Sequence, residues 1–414
     1  MSKDLYFSIH TDKDIKDANG SSGYSYGYYK IIEHFSNFTH NNKKLNVLEN
    51  SPTASVQMFY MEPERHIFLK NNDGDVVSRN VRSEDFRKFS DHQYKILGTH
   101  LEATRVWSHW IDSMNKVDEI WVGNYFARDA VVNSGITTPT YVFEHGIDDM
   151  WKPFLRGQNS KIRFLHVDSG SPRKRADLVE KAFREVFGNS QDVSLTMKYR
   201  PGETDEGFDV MNLFNQNVFK IHETLSDQEM LQLYYDHDVL VYPSEGEGFG
   251  FIPLQALATG MPVISTSRWC SYEKYLGQNI IESTIGPTKS TGYFEGEVIL
   301  PEYDSLTYLM RKVYDDIDAQ CEFYYNQAEK VIEEYNWQSR CNKMLASFIK
   351  RVGIKTLYPN EKYLNQLPIQ IKYVGNGYYS TRSGVQFSRN DRIHYVPMEE
   401  YDALIQTENF VEIG

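Results

Sequence analysis

The sequence predicts an α/β protein with two domains built on parallel sheets, followed by a small, mainly β module. Three observations lead there. The chain has 414 residues, too many for one ordinary core, so two or three domains are expected. Short apolar runs alternate with helical patterns from Leu5 to about residue 350, the order that builds parallel sheets. In the last sixty or so residues that alternation stops. Hydrophobic residues make up 40% and charged residues 24%, which is ordinary for a globular protein. No apolar run approaches the roughly 20 residues of a membrane span.

Leu5 to His10 reads as a first buried strand. The loop after it, Asn19-Gly-Ser-Ser-Gly-Tyr-Ser-Tyr-Gly27, is rich in small residues, and a helix follows through Tyr28, Ile31, Ile32 and Phe35. Val56 to Tyr60 and His66 to Leu69 are candidate strands, and Asn71-Asn-Asp-Gly74 is a turn. Tyr94 to Gly98 is a strand with Thr99, His100, Leu101 and Glu102 just past its carboxyl end. Open parallel sheets bind ligands at that edge. His109 lies in a helical stretch with Trp107 and Trp110. Glu119 to Val122 is a strand, Asn124 to Ser134 a helix, and Tyr141 to Phe143 a short strand ending in Glu144-His-Gly-Ile-Asp148.

Lys161 to Val167 opens a second series. Asp168-Ser-Gly-Ser-Pro-Arg-Lys-Arg175 precedes a helix from Ala176 to Phe187. Val193 to Tyr199 and Val218 to His222 are strands, with Lys198 and Arg200 at the end of the first. Ser226 caps the next helix and Glu229 completes a capping box. Val239 to Tyr242 is a buried strand ended by Pro243 and Ser244. Gly246, Gly248 and Gly250 then alternate with Glu245, Glu247 and Phe249. Such glycines bring the backbone close to a ligand, and N–H groups at a helix start suit a phosphate. Leu254 to Thr259 reads as a short helix stopped by Gly260, and Pro262 to Ile264 starts the next strand. Helices are expected at Leu306 to Asp318, Cys321 to Tyr335 and Ser339 to Arg351. Pro359 to Ile371 is linker-like, and Tyr373 to Tyr379 is a turn between short strands. Gly384 to Phe387 and Ile393 to Pro397 look like strands, and Glu399 to Gln406 a helix.

The run Pro243-Ser244-x-x-Glu247-Gly248-Phe249-Gly250, continuing through Gln255-Ala256-x-Ala258-x-Gly260-x-Pro262-Val263, resembles the signature of retaining glycosyltransferase family four. That family has the GT-B fold, two facing Rossmann-like domains with a cleft between them. The strand leading into His145-Gly146-Ile147-Asp148, the segment before Ala176, and Tyr335-Asn-Trp337 are similar to the family too. The resemblance stops near residue 352. It implies an acceptor domain over 1–152, a nucleotide-sugar domain over 153–352 whose last helix crosses back to brace the first, and an appended β-rich module over 353–414.

The resemblance also implies roles. Glu247 contacts the donor sugar, His100 is the histidine that family members place there, and Glu102 stands beside it. Gly248, Phe249 and Gly250 line the donor site, with Gly20 and Gly23 of the first loop beneath the donor phosphates. The family's second Glu, which holds the ribose hydroxyls, is Gln255 here; the amide keeps hydrogen bonding but loses the charge. Lys174 falls on the lysine that binds the donor diphosphate. The family's Arg falls on Ser169 and its Gly on Arg175, so Arg173 or Arg175 is the expected replacement cation. His145 reads as hinge architecture first, and the loop from His222 to Leu225 borders the base. The bland alternatives are a solvated helix residue at 255, a solvated basic turn at 173–175 and ordinary loop residues at 100 and 102.

The implied reaction is retaining transfer from a nucleotide-sugar donor, with no cofactor and no metal. Asp236-His237-Asp238 has the Asp-x-Asp spacing of the GT-A metal motif, but it precedes its strand and so sits at the wrong end of the sheet. The acceptor is a glycan or, because the C-terminal module faintly resembles small β-rich modules of bacteriophage proteins, a hydroxymethylated base in DNA. The net charge of −13 counts against broad nucleic-acid binding. A catalytically silent sugar-nucleotide or glycan-binding scaffold is the rival reading. Three widely spaced cysteines and a polar N-terminus suggest reduced thiols in a cytoplasm, the host's if the source is a phage.

Overall fold

A computed structural model describes residues 5–11, 23–49, 51, 54–70, 76–82, 93–157, 161–201, 217–288 and 295–359, with short stretches between 369 and 412. The first domain begins with β1 (Leu5–His10) and α1 (Gly23–Ser36), then β2 (Thr39–His40), β3 (Lys43–Glu49) and β4 (Val56–Tyr60). An antiparallel pair, β5 (Glu64–Lys70) and β6 (Val76–Arg82), stands apart. β7 (Tyr94–Thr99), a 3-10 turn at Ser108–Trp110, α2 (Ile111–Met114), β8 (Glu119–Val122), α3 (Tyr125–Asn133) and β9 (Thr140–Val142) complete it. The sheet order is β2-β3-β1-β4-β7-β8-β9, parallel throughout except for β2. Strands β4 and β8 are buried along their whole length, so both read as unbroken apolar runs.

The predicted small-residue loop ends earlier than expected. Helix α1 already begins at Gly23, which places Gly27 inside it. A Cβ at Gly27 would stand 2.3 Å from the Tyr60 hydroxyl, so the glycine lets the helix lie against β4. Gly20 lies outside the described residues.

The second domain contains β10 (Ile162–Val167), α4 (Ala176–Phe187), β11 (Val193–Tyr199), β12 (Val218–His222), α5 (Asp227–Tyr235), β13 (Val239–Tyr242), α6 (Phe251–Ala258) and β14 (Val263–Ser265). Its sheet is parallel with order β12-β11-β10-β13-β14. Ser226 caps α5 in a capping box with Glu229, as the sequence predicts. Helix α6 starts at Phe251 rather than Leu254, because Pro253 falls within the first turn, where it removes no needed donor. The pair β15 (Ser283–Gly286) and β16 (Val298–Pro301) was not anticipated. Three helices follow, α7 (Tyr303–Asp315), α8 (Ile317–Glu334) and α9 (Trp337–Val352).

Helix α9 returns to the first domain. Trp337, Cys341, Met344, Leu345 and Phe348 share one core with Leu5, Phe7, Tyr28, Ile31 and Trp121. In the last module, β17 (Ile369–Tyr373) pairs antiparallel with β20 (Ile393–Val396) and β21 (Phe410–Glu412), while β18 (Tyr379–Ser380) pairs with β19 (Gln386–Phe387). The linker expected up to Ile371 is therefore partly strand. Most of the helix expected at 399–406 lies outside the described residues. Among the described residues no helix is long and apolar enough to cross a membrane.

One ion pair ties α9 to the first sheet. Arg351 donates to both carboxylate oxygens of Glu119, at 3.1 and 2.9 Å. Tyr94 and Trp121 donate to the same carboxylate, whose side chain is 3% exposed. Replacing Arg351 by Met leaves that carboxylate buried without its counter-charge. Urea unfolding should show a loss of about 3 kcal/mol; an unchanged midpoint would show that Glu119 does not depend on the last helix.

Candidate active site

The carboxyl ends of both parallel sheets face one cleft of ≈ 410 Å³. In the second sheet the strand order reverses between β10 and β13, the switch point at which such sheets open a crevice. Strand β10 runs into Asp168 and β13 into Ser244, while β7 of the first sheet runs into His100 and Glu102. The structure brings together Gly23, His100, Glu102, Arg173, Lys174, Glu247, Gly248, Phe249, Gly250 and Gln255, and lines the same cleft with Ser169, Lys198 and Arg200. His145 lies buried behind the wall and His109 is not part of the lining. Asp238 lies at the opposite end of β13, where it accepts from the Arg163 backbone at 2.8 Å. Among the described residues no cluster of His, Cys, Asp or Glu is arranged to hold a metal.

Arg173 is the centre of the site. Its Nη2 lies 2.8 Å from Glu102 of the first domain and its Nη1 2.6 Å from Glu247 of the second. Nη1 also donates to the Gly246 carbonyl. Glu247 further accepts from the hydroxyls of Tyr242 and Ser244, each at 2.8 Å. The two carboxylates sharing one guanidinium are driven apart. Burial pushes Glu247 up, but Arg173, Lys174 and the two hydroxyls outweigh it and hold its carboxyl below the ordinary range. Burial raises Glu102, and the neighbouring Glu247 adds to the rise against Arg173. Lys174 donates to the Tyr242 hydroxyl at 2.8 Å, which links it to Glu247 through one tyrosine. Arg173, expected as a phosphate ligand, therefore has its guanidinium engaged by carboxylates. Arg175, the other expected replacement, pairs with Asp177 at 2.9 Å and with buried Glu245 at 3.0 Å. It holds the left-handed backbone (φ +58°) at the position where the resemblance expects glycine.

The glycine turn is shaped by close approach. Gly250 has φ +85°, and a Cβ there would stand 2.3 Å from Trp269. A Cβ at Gly248 would meet His100 at 2.5 Å. The Phe249 ring packs against His145, Phe251 and Tyr272, so this residue offers the cleft its backbone. Among the described residues nothing accepts from the N–H groups of Gly248, Phe249 or Gly250, which sit at the start of α6. Asn124 fixes the turn from across the cleft. Its Nδ2 donates to the carbonyls of Glu247 and Gly248, both at 2.9 Å, while its Oδ1 caps α3. The sequence marks Asn124 as a helix start, but its second partner lies 123 residues away and leaves no local signal. At the other end of the cleft Gln255 is 8% exposed and accepts from Tyr234 at 3.2 Å.

Behind the sugar-facing wall, the Tyr60 hydroxyl lies 2.7 Å from His100 Nε2 and 3.1 Å from His145 Nε2. With one proton, it donates to one ring and accepts from the other. Neither Nδ1 has a hydrogen bond of good geometry. Burial lowers the His100 pKa to about 4, with the Gly248 backbone and Glu247 opposing. Burial also takes His145 well below the ordinary value, helped by His100. Both rings are neutral at pH 7. The unfolded chain takes up protons that the folded rings refuse, so stability falls as pH drops from 6.5 to about 4. His100 alone accounts for on the order of 3 kcal/mol of that loss. Urea midpoints of a His100→Asn variant should decline less over this range than wild type; parallel declines would contradict the assignment.

Residues 149–293 match the family model described as glycosyl transferases group 1. The sulfoquinovosyl transferase SQD2 of Arabidopsis thaliana is 27% identical over 131 residues, 30% of this chain and 25% of that protein, so the match spans a quarter of the relative. Sucrose-phosphate synthase from Thermosynechococcus elongatus superposes with a TM-score of 0.57 at 10% identity, over 84% of this chain and 99% of that one. WaaG, a glycosyltransferase involved in lipopolysaccharide biosynthesis, superposes with a TM-score of 0.50 at 14% identity, over 82% and 98%. S. aureus TarM gives 0.50 at 15% identity, over 71% and 55%. At these identities the three structures share the fold alone. Residues 149–293 belong to the group 1 glycosyl transferases, on a chain with the GT-B fold.

Proposed function

We propose that the chain is a retaining glycosyltransferase that moves a sugar from a nucleoside diphosphate sugar to a glycan acceptor in the cleft between its two sheets. One observation carries this reading: an ionised carboxylate, a turn of unpartnered N–H groups at a helix start and a lysine converge in a single cleft. In the proposed complex Lys174 and the N-terminus of α6 hold the diphosphate. Gln255 takes the ribose, beside Trp151, Leu225 and Met230 for the base. The sugar lies between the glycine turn and His100, whose free Nδ1 meets a sugar hydroxyl. S. aureus TarM was solved with UDP and alpha-GlcNAc-glycerol, which is the kind of donor product and acceptor adduct such a cleft accommodates.

In the proposed reaction the bond from the anomeric carbon to the diphosphate breaks and a bond to the acceptor oxygen forms on the same face. The acceptor proton passes to the leaving phosphate. Positive charge develops on the sugar ring, where Glu247 stabilises it, and negative charge on the diphosphate, where the cation and helix dipole do. No protein nucleophile is required. The DNA-base acceptor gains no support from the comparisons and is not carried forward.

The reading is tested by donor turnover with product analysis. Glu247→Gln should lower turnover more than donor affinity, because a carboxylate near the ring helps most as charge develops. Transfer should persist in excess chelator and give a product of unchanged anomeric configuration. Loss of activity in chelator with rescue by manganese or magnesium, or an inverted product by proton NMR, would overturn the mechanism. Donor binding without turnover in the wild type would return the scaffold reading. Gln255→Ala should raise the donor dissociation constant while Gln255→Glu is tolerated; equal binding by all three proteins would remove Gln255 from the ribose site.

A further inference from the structure

A departing diphosphate needs more than one cation, and the sequence leaves the second unassigned. Ser169 stands where the resemblance expects arginine. The guanidinium of Arg173 is shared by Glu102 and Glu247, and that of Arg175 by Asp177 and Glu245. Arg200 already has an interaction of its own. Lys198 differs from all of these. It is the penultimate residue of β11, paired in register with Val167 of β10, and the residue after Val167, Asp168, donates its backbone N–H to the Lys198 carbonyl at 2.8 Å. Every residue of β11 is buried, and Lys198 is 9% exposed. Its side chain lines the cleft with Lys174 and makes no ion pair or hydrogen bond among the described residues. Burial lowers its pKa, and the positive charges of Arg200 and Lys174 lower it further. A lysine kept among cations with no anion is destabilising in the empty protein, and a bound anion is what relieves it.

We propose that Lys198 is the second cation of the diphosphate site, acting beside Lys174 in the place that Ser169 leaves vacant. This rests on the nucleotide-sugar reading above and assigns a residue to it. With two lysines on the diphosphate, Arg173 stays with its two carboxylates through the reaction.

Calorimetric titration of wild type, Lys198→Ala, Lys198→Arg and Lys174→Ala with UDP, ADP, GDP and inorganic pyrophosphate tests it, alongside the matching nucleosides and thermal melting without ligand. For whichever diphosphate the wild type binds, Lys198→Ala should weaken binding roughly tenfold or more. Nucleoside affinity should be unchanged, and Lys198→Arg should stay within about threefold of wild type. The ligand-free Lys198→Ala protein should melt no lower than wild type, because a repelled charge is gone. Wild-type affinity in Lys198→Ala with loss in Lys174→Ala would overturn the assignment while leaving the nucleotide-sugar reading intact. A lower melting temperature together with weakened nucleoside binding would make Lys198 structural and overturn it too. No binding of any diphosphate or of pyrophosphate by the wild type would overturn both.

Discussion

The guanidinium of Arg173, held between Glu102 of one domain and Glu247 of the other, is the constraint on which the cleft depends. Two carboxylates buried this close would not both stay ionised without it. An arginine suits the task because its planar fork reaches two partners at once and keeps its charge when buried. Its contact with the Gly246 carbonyl extends the hold to the glycine turn. Asn124 grips the same turn from the first domain, so the segment that faces the ligand is fixed from both sides.

The division of charge follows from that constraint. Because Arg173 and Arg175 serve carboxylates, the groups left to meet a phosphate are lysines and backbone N–H groups. Arg175 illustrates the local compromise. A left-handed non-glycine residue costs on the order of 1 kcal/mol, and its ion pairs with Asp177 and the buried Glu245 offset that cost. Strain of this kind persists where the surroundings over-determine the backbone, as they do beside this cleft.

Much of the fold was legible in the sequence. Apolar runs and turn residues located β1, β8, α4, β11, β12 and β13 to the residue, and the capping box at Ser226 fixed the start of α5. The site was legible as a set, since its residues from three separate stretches line one cleft. What escaped depends on distant partners. Nothing near Arg173 in the sequence reveals that Glu102 and Glu247 engage it, and nothing near Tyr60 announces the two histidines it joins. Strand β17 read as linker because its pairing segments begin some twenty to forty residues later and its own run is short. The start of α6 was misplaced because Gly250, the residue that turns the chain, sits inside a run of similar glycines.

The central claim is that the cleft binds a nucleoside diphosphate and presents a sugar to Glu247. A crystal structure grown with the nucleoside diphosphate that most raises the melting temperature tests it most directly. The account predicts a diphosphate against Lys174 and the first N–H groups of α6, with its ribose at Gln255 and its open end toward Glu247 and His100. A nucleotide bound elsewhere on the molecule, or one whose diphosphate sits on Arg173 with Glu102 and Glu247 displaced, would contradict it.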